Sequence, residues 1–448
     1  MRITRRLFLS LPAMVPFAPL RAARSDAHHF SYDHVIGTSL DLVVWTSNAE
    51  AARSAEAAAL EEVHRLTAIL NTRDPHSEIS RLSETPSPAP SRELAEVLSA
   101  YDYWTERTGG IMSVRPRGAN TPRDVDALGK AYIIDRAAMA AAAAAPGIDG
   151  VLVNVGGDIV ARGGPCNIAL ADPCAPHENA APLTRIRLHN AAIATSGTYA
   201  RGAHLRDART GLPAARASSG TVVAADAVTA NALATMLCLT AADEGLRLVE
   251  RTPGAEALRV ARDGAVERTS GFARLERPPA IKTLASADWP SGYALTVSLT
   301  LTQGAASSAF GRRRDSTPRR PYVAVWIETT SGTLVRVLAF WANKAKYYPE
   351  LSGFWNMASR DQHLLYSTAR ATREPGKYQL VWDGLDDAHK PVPPGIYRVV
   401  VETNQEHGVY AKQAGTIACG SSPASLTLAA TANFETVNVQ YGAKPMPA

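Results

Sequence analysis

Asn231 and Thr235 stand four residues apart in the segment Ala225–Leu237, whose other members are mostly Ala, Val, Leu and Met. On a helix the two side chains share a face, one turn above the other. Two oxygen donors on an otherwise apolar helix need a partner, and water, a backbone group or a hard cation would each serve. The plainer alternative has Thr235 bonding back to its own helix and Asn231 at a cap or in solvent. Three further stretches place polar groups beside glycine. Asp124–Asp135 sets Lys130 next to Gly129 with acids on both sides. Asn154-Val155-Gly156-Gly157-Asp158 is a turn that exposes backbone and admits a ligand closely. Thr195-Ser196-Gly197 precedes His204-Leu205-Arg206-Asp207-Ala208-Arg209-Thr210-Gly211. Each has a bland counterpart: a surface lysine, a simple turn, a solvated His/Asp pair.

The elements that must hold these residues alternate between helix and strand. Residues 34–46 alternate as a strand, and Ala49–Leu70 carries Leu60, Val63, Leu66 and Leu70 at helical spacing. Ser91–Glu106 reads as a helix with Ser91 at its start, and Ala137–Ala145 as one ending at Pro146-Gly147. Gly150–Asp158 is a strand entering the Gly-Gly turn. Short strands follow at 168–171, 184–189 and 192–195. Gly220–Ala224 leads into the Asn231 helix, expected to run to Glu250 with a break near Asp243. Val260–Val266 reads as a hairpin around Asp263-Gly264. After Pro278-Pro279 the pattern changes to strands with almost no helix signal, at 293–302, 322–329, 333–341, 378–382 and 396–403. The expectation is an α+β domain over residues 25–280, then an all-β sandwich over 288–442.

The chain has 448 residues, enough for two cores, with a mild net charge of +5. Arg312, Arg313, Arg314, Arg319 and Arg320 lie among Ser, Pro and Gly, which reads as a solvated loop and not a nucleic-acid site. No internal apolar run reaches the roughly eighteen residues of a membrane span. Residues 1–24 read as an export signal: Arg5-Arg6-Leu7-Phe8-Leu9, an apolar run, then Ala22-Ala23. The Arg pair resembles a twin-arginine signal and points to the periplasm. Of four cysteines, Cys166 and Cys174 flank a loop and could pair, while Cys238 reads as a core thiol. No Cys-x-x-Cys occurs, so a thiolate metal site is not expected.

Taken in order, the polar stretches resemble the ApbE family of flavin transferases. The family pattern is an Asp-Leu-Gly-Gly-Ile-Ala-Lys-Gly-Tyr-Ala-Val-Asp-like run, an Asn-x-Gly-Gly-Asp turn, a Thr-Ser-Gly, a His-x-x-Asp-Pro-x-Thr-Gly and an Asp-Ala-Leu-Ala-Thr helix. Ile36-Gly37-Thr38 and Ser77-Glu78-Ile79-Ser80-Arg81-Leu82 also look like family features, so the resemblance covers roughly residues 30–275. It implies FAD as substrate, a divalent cation (Mg2+ or Mn2+), and transfer of the FMN half to a Thr or Ser of another protein with release of AMP. It also implies roles. Gly129 (through its carbonyl), Asn231 and Thr235 would hold the metal. Lys130, Asn154, Gly156, Gly157, Asp158, Thr195, Ser196 and Gly197 would line the FAD cleft, together with Thr38, Ser77, Glu78, Tyr132, Asp135, Thr210 and Gly211. His204 and Asp207 would be catalytic, near the diphosphate and the incoming hydroxyl. The physical chemistry agrees: breaking a diphosphate builds charge on phosphoryl oxygens, which a hard cation neutralises.

This chain departs from the pattern at several positions. Asn231 stands where the family has Asp, which removes a full charge from the implied metal shell. Asp226 would compensate only if the chain bent to bring it round. Ala208 replaces Pro, Ala131 replaces Gly, and Thr108-Gly109-Gly110-Ile111-Met112-Ser113 lacks the family's Phe-Asp. The rival readings are an FAD diphosphatase giving FMN and AMP, and a non-catalytic flavin-binding or docking protein. The chain lacks the acceptor pattern Asp-Gly-x-Thr/Ser-Gly-Ala-Thr/Ser, so the target is expected to be another protein. The second domain resembles predicted periplasmic proteins of unknown function through Val337–Trp341, Ala371–Gly376 with Trp382-Asp383-Gly384, and Glu402 with Glu406-His407-Gly408. Trp382–Gly384 through Pro394–Tyr397 also looks like immunoglobulin-like modules, with Trp and Tyr as core residues.

Overall fold

The computed structural model describes residues 26–82, 89–118, 121–174, 182–198, 205–277, 289–290, 292–302, 320–342, 345–359, 369–370, 373, 375–388, 390–405 and 409–443. The expected export segment, His204, most of the Arg312–Arg320 cluster and His407 lie outside these residues.

Two tight hairpins shape one end of the first region. Strands β1 (Asp26–Val35) and β2 (Thr38–Thr46) are joined by Ile36 and Gly37, both at positive φ (47° and 77°). That two-residue turn matches strand twist, but a β-branched residue there stores roughly 1–3 kcal/mol of strain. Helix α1 (Ala49–Leu70) is capped by Asn48 and buries Ala52, Ala55, Ala59, Val63, Leu66 and Leu70 along one stripe. The short α2 (Glu78–Arg81) and α3 (Arg92–Arg107) follow, with Ser91 capping α3 as expected. Helix α4 (Asp126–Ala143) starts eleven residues before the expected Ala137, since buried Leu128, Ala131, Ile134, Ala138 and Ala141 continue one helical face. Gly129, Lys130 and Asp135 are therefore helical.

Strands β3 (Gly150–Val155) and β4 (Asp158–Gly163) form the second hairpin, around Gly156 and Gly157 at φ 60° and 96°. Next come β5 (Cys166–Leu170), β6 (Thr184–Leu188), β7 (Ala192–Gly197), the small pair β8 (Arg206–Asp207) and β9 (Leu212–Pro213), and β10 (Ala217–Ala224). Helix α5 (Ala227–Leu239) ends at Thr240, slightly earlier than expected, before α6 (Ala242–Glu250). Strands β11 (Glu256–Ala261), β12 (Val266–Arg268) and β13 (Glu276–Arg277) complete the region. The hairpin around Asp263-Gly264 forms as read, with Val260 opposite Val266.

An antiparallel eight-stranded sheet runs β1-β2-β3-β4-β7-β10-β11-β12. One face packs on α1, α4 and α5 through Leu40, Leu42, Val153, Val155, Val160, Ala194 and Val222. The other face packs on a three-stranded sheet, β13-β6-β5, through Ile168, Leu170, Ile186, Leu188, Ile193 and Val223. The α+β domain expected here is built in three layers, because both faces of the central strands are apolar. Helix α5 is buried all round, and burial of Leu237 alone is worth about 2 kcal/mol. It approaches β10 at Gly220, where a Cβ would lie 2.7 Å from Leu237 Cβ and 3.0 Å from the Ala234 carbonyl oxygen.

Residues 293–443 are all-β in character, as expected, with one exception. Strands β14 (Tyr293–Leu301), β15 (Tyr322–Thr329), β16 (Leu334–Trp341), β17 (Ala369–Arg370), β18 (Gly376–Trp382), β19 (Gly395–Asn404), β20 (Ala411–Cys419), β21 (Ala424–Leu428) and β22 (Val437–Ala443) form two sheets. Their orders are β18-β14-β22-β21 and β17-β16-β15-β19-β20, and Val297, Val325, Val399, Val439 and Trp382 share one core. The exception is helix α7 (Ser352–Ala358), which the strand pattern hid. It lays Phe354 on Trp326 and Phe340 at the far face of the five-stranded sheet. Glu402, fully buried, accepts the Gly353 and Phe354 N–H groups and the Tyr410 hydroxyl, each at 2.7 Å. Trp382 and Tyr397 pack edge to face at 4.9 Å, a core role as read. No helix among the described residues is long and apolar enough to cross a membrane. All four cysteines are free, so Cys166 and Cys174 do not pair; Cys166 Sγ faces the Leu188 carbonyl instead.

Candidate functional site

Strand register assembles the site. Leu40 lies opposite Val155, so the Ile36-Gly37 and Gly156-Gly157 turns emerge side by side at one end of the sheet. Ile159 pairs with Ile193, which carries Thr195, Ser196 and Gly197 past the same end. Helices α4 and α5 close over it. The result is a cavity of about 800 Å³ lined by Thr38, Gly129, Lys130, Asn154, Gly156, Gly157, Asp158, Thr195, Ser196, Gly197, Asn231 and Thr235 among others. Residues from five separate stretches of sequence meet here.

A small polar cluster sits on its wall. Lys130 Nζ lies 2.6 Å from Asp158 Oδ2, and Asn231 Nδ2 donates to the same oxygen at 3.1 Å. Asp158 and Asn231 are both buried. The Asn231 Oδ1 atom is buried and finds no hydrogen-bond partner among the described residues. An orphaned oxygen of this kind costs about 1–3 kcal/mol unless a ligand satisfies it. Thr235 Oγ1, one turn along, reaches Ser196 Oγ at 3.3 Å and does not bond back to its own helix. Asn154 Oδ1 accepts the Gly157 N–H at 3.1 Å and so ties the second turn. Thr195 meets Thr221 across β7 and β10 at 2.9 Å. Cys238 donates from Sγ to the Ser196 carbonyl at 3.2 Å, and burial pushes its thiol up to about 12. It is a core thiol, as read.

Positions of α4 and α5 depend on a buried carboxylate. Asp135 Oδ2 accepts the Ala227 N–H at 2.7 Å, and Oδ1 pairs with Arg162 at 3.0 Å. Burial lifts the Asp135 carboxyl to about 6 despite these partners. Asp226 is the N-cap of α5, accepting the Thr229 N–H at 2.8 Å. Its carboxylate is thereby engaged outside the cavity and does not come round to compensate for Asn231.

Several expected ligand residues stand apart from the cavity and have structural partners instead. Asp135 anchors α5. Tyr132 donates to Glu96 at 2.6 Å with the Arg136 guanidinium over its ring. Ser77 caps α2, and Glu78 accepts the Ser91 N–H at 2.6 Å. Asp207 is clasped by Arg209 through both carboxylate oxygens, which holds its carboxyl below the usual range. In this arrangement Asp207 is an ion-pair partner of Arg209, on the β8 strand beside the cavity wall residue Leu205. Thr210 and Gly211 donate to the Asp207 carbonyl and shape the β8–β9 turn; among the described residues of that stretch only Leu205 lines the cavity. Asp126, one of the acids flanking Lys130 in the sequence, pairs at 3.4 Å on the cavity rim with Arg73, which reads from the sequence as an ordinary loop charge.

The fold and site define a three-layer protein with a deep polar-rimmed cavity at the hairpin end of its central sheet. Residues 36–118 and 112–259 match the model of the ApbE family, together half of the chain, and the chain belongs to that family. It is accordingly a transferase. Residues 309–436 match a family described as predicted periplasmic protein (DUF2271). Similar solved structures include the ApbE protein of Thermotoga maritima, 24% identical over 56% of this chain and 100% of that one, with a TM-score of 0.48. The flavin transferase ApbE of Vibrio cholerae is 18% identical over 56% and 99%, with a TM-score of 0.47. The apo flavinyl transferase ApbE of Pseudomonas stutzeri is 18% identical over 58% and 100%, also at 0.47. No curated protein matches the chain.

Proposed function

We propose that the protein is exported to the periplasm and transfers the FMN half of FAD to a Thr or Ser hydroxyl of a partner protein. The carrying observation is the convergence of Lys130, Asp158, Asn231, Thr235 and the Gly156-Gly157 turn on one cavity large enough for a dinucleotide. In this reading the acceptor oxygen forms a bond to the FMN phosphorus while the bond to the AMP oxygen breaks. The acceptor proton goes to a base and AMP leaves as the anion. Lys130 aims its ammonium at the diphosphate, with Asp158 fixing its position. Glycines at the turn let the backbone approach the substrate closely. His204 or Asp207 serves as the base or positioning group for the acceptor hydroxyl.

A hard cation fits the residues present. The unpartnered Asn231 Oδ1, the Thr235 hydroxyl and the Gly129 carbonyl are the oxygen donors such an ion takes. Mg2+ or Mn2+ bound there supplies positive charge to the diphosphate oxygens. Residues 25–280 would carry this chemistry, with 288–442 as a separate β-domain. Incubation with FAD, magnesium and a protein carrying the Asp-Gly-x-Thr/Ser-Gly-Ala-Thr/Ser pattern tests the reading. Covalent flavin on the acceptor with stoichiometric AMP is expected. Free FMN plus AMP would replace transfer by hydrolysis, and unchanged bound FAD would leave a binding protein.

A further inference from the structure

The outer face of the three-stranded sheet carries a charge pattern that the cavity chemistry does not use. Strands β5 and β6 alternate strictly, with Ile168, Leu170, Ile186 and Leu188 turned inward and Asn167, Ala169, Arg185 and Arg187 turned outward. Arg277 on β13 lies directly opposite Arg185 in the strand register. Arg185, Arg187 and Arg277 are exposed and line one shallow depression with Pro165 and Asn167. None of the three has a carboxylate partner among the described residues, although Arg268 beside them is paired with Glu276. Like charges set directly across a strand pair destabilise a sheet, so this face is held against its own repulsion.

Strand β5 runs from the depression to the cavity: Asn167 lines the depression, and Ile168, Ala169 and Leu170 line the cavity. Ala169 is also the cross-strand partner of Arg185, and Asn167 that of Arg187. A polypeptide reaching into the cavity from this side would cross the three guanidinium groups. Arginine forks suit bidentate carboxylates.

We propose that Arg185, Arg187 and Arg277 form a docking face for an acidic segment of the acceptor protein beside its target hydroxyl. This rests on the reading of the cavity as the transfer site. The face acts on capture of the acceptor and leaves FAD binding alone, because no arginine of the three lines the cavity.

The test uses the full chain and two fluorescein-labelled peptides, each with one Thr, flanked in one by Glu and in the other by Gln. Fluorescence anisotropy reads peptide binding, and flavin fluorescence reads FAD binding. The acidic peptide should bind, the neutral one should not, and raised salt should weaken the complex. The triple variant Arg185→Gln, Arg187→Gln, Arg277→Gln should lose roughly tenfold in peptide affinity, as three exposed ion pairs would. Its FAD binding should match the parent's, and its melting temperature should equal or exceed it, because the cross-strand repulsion is relieved. Equal binding of both peptides, or parent-like affinity in the triple variant, overturns the proposal. So does displacement of the peptide by millimolar inorganic phosphate or by anionic phospholipid vesicles, which would reassign the face to small anions or membranes. Failure of parent and variant alike to bind FAD would sink the cavity reading, while the peptide result would still decide the docking face.

Discussion

Replacing Asn231 by Asp restores the carboxylate of the family pattern, and the structure shows what that costs. Asn231 is 7% exposed, and its amide donates to Asp158 Oδ2 at 3.1 Å. In Asn231→Asp this hydrogen bond becomes a contact between two carboxylates. At an effective dielectric of about 20, two unit charges 3.1 Å apart repel by about 5 kcal/mol. Protonating one of them instead costs about 4 kcal/mol at pH 7, from an unfolded carboxyl pKa near 3.9, so the penalty saturates there. Lys130, 2.6 Å from Asp158, offsets part of it, leaving about 2–4 kcal/mol. For a domain of this size that lowers the melting temperature by roughly 5–15 °C without metal. The sign with pH follows from the repulsion, which raises the pKa of the carboxyl introduced at position 231. The penalty is full above that pKa and is relieved as pH falls towards the unfolded value near 4. The gap between variant and parent should therefore narrow from pH 7 to pH 5. A cation bound between these oxygens removes the repulsion, and saturation at about a hundred times its dissociation constant returns about 2.7 kcal/mol. Thermal melts of both proteins across a Mg2+ and Mn2+ series check this. Equal metal-induced shifts in variant and parent would show that residue 231 is not in the cation's shell.

Gly220→Ala should separate α5 from β10, because the new methyl would press on Leu237 Cβ and the Ala234 carbonyl. A loss of about 1–3 kcal/mol is expected by chemical denaturation, together with weakened FAD binding as Asn231 and Thr235 shift. Asp135→Ala leaves Arg162 without its partner and the Ala227 N–H without its acceptor, for a loss of about 3–5 kcal/mol. Asp135→Asn should lose much less, since an amide oxygen can still accept from Ala227; equal losses would refute the capping role. Glu96 is held down to about 2, first by the Tyr132 hydroxyl and then by Arg92. Its folded pKa is depressed, so its contribution is present above the unfolded value near 4.3 and is lost as pH falls towards 2. Glu96→Gln should flatten the fall in melting temperature over that window, and an unchanged acid limb would exclude Glu96 as a source.

Local order was largely legible in the residues. Alternation marked β2, Ser91 marked the start of α3, and the Gly-Gly pair marked a turn, because each rests on near neighbours in the chain. The oxygen pair Asn231 and Thr235 was visible for the same reason: helical spacing alone puts them on one face. Helix α4 starts well before the Ala-rich run at Ala137 that marked it, because buried Leu128, Ala131 and Ile134 continue the same face, which only packing shows. What the residues do once gathered was decided by pairing across the chain. Leu40 opposite Val155 brings two distant turns to one rim, and that register depends on burial of alternate faces. Asp135 became an anchor for α5 because the helix start falls beside it, a meeting of residues 92 apart in the chain. Asp207 is clasped by Arg209, a contact the motif spacing did not announce, because spacing carries no record of side-chain direction. The unpartnered Asn231 oxygen and the row of arginines on the outer sheet likewise exist only in three dimensions. A side chain's type is written locally, but its solvation and its partners are set by everything that folds around it.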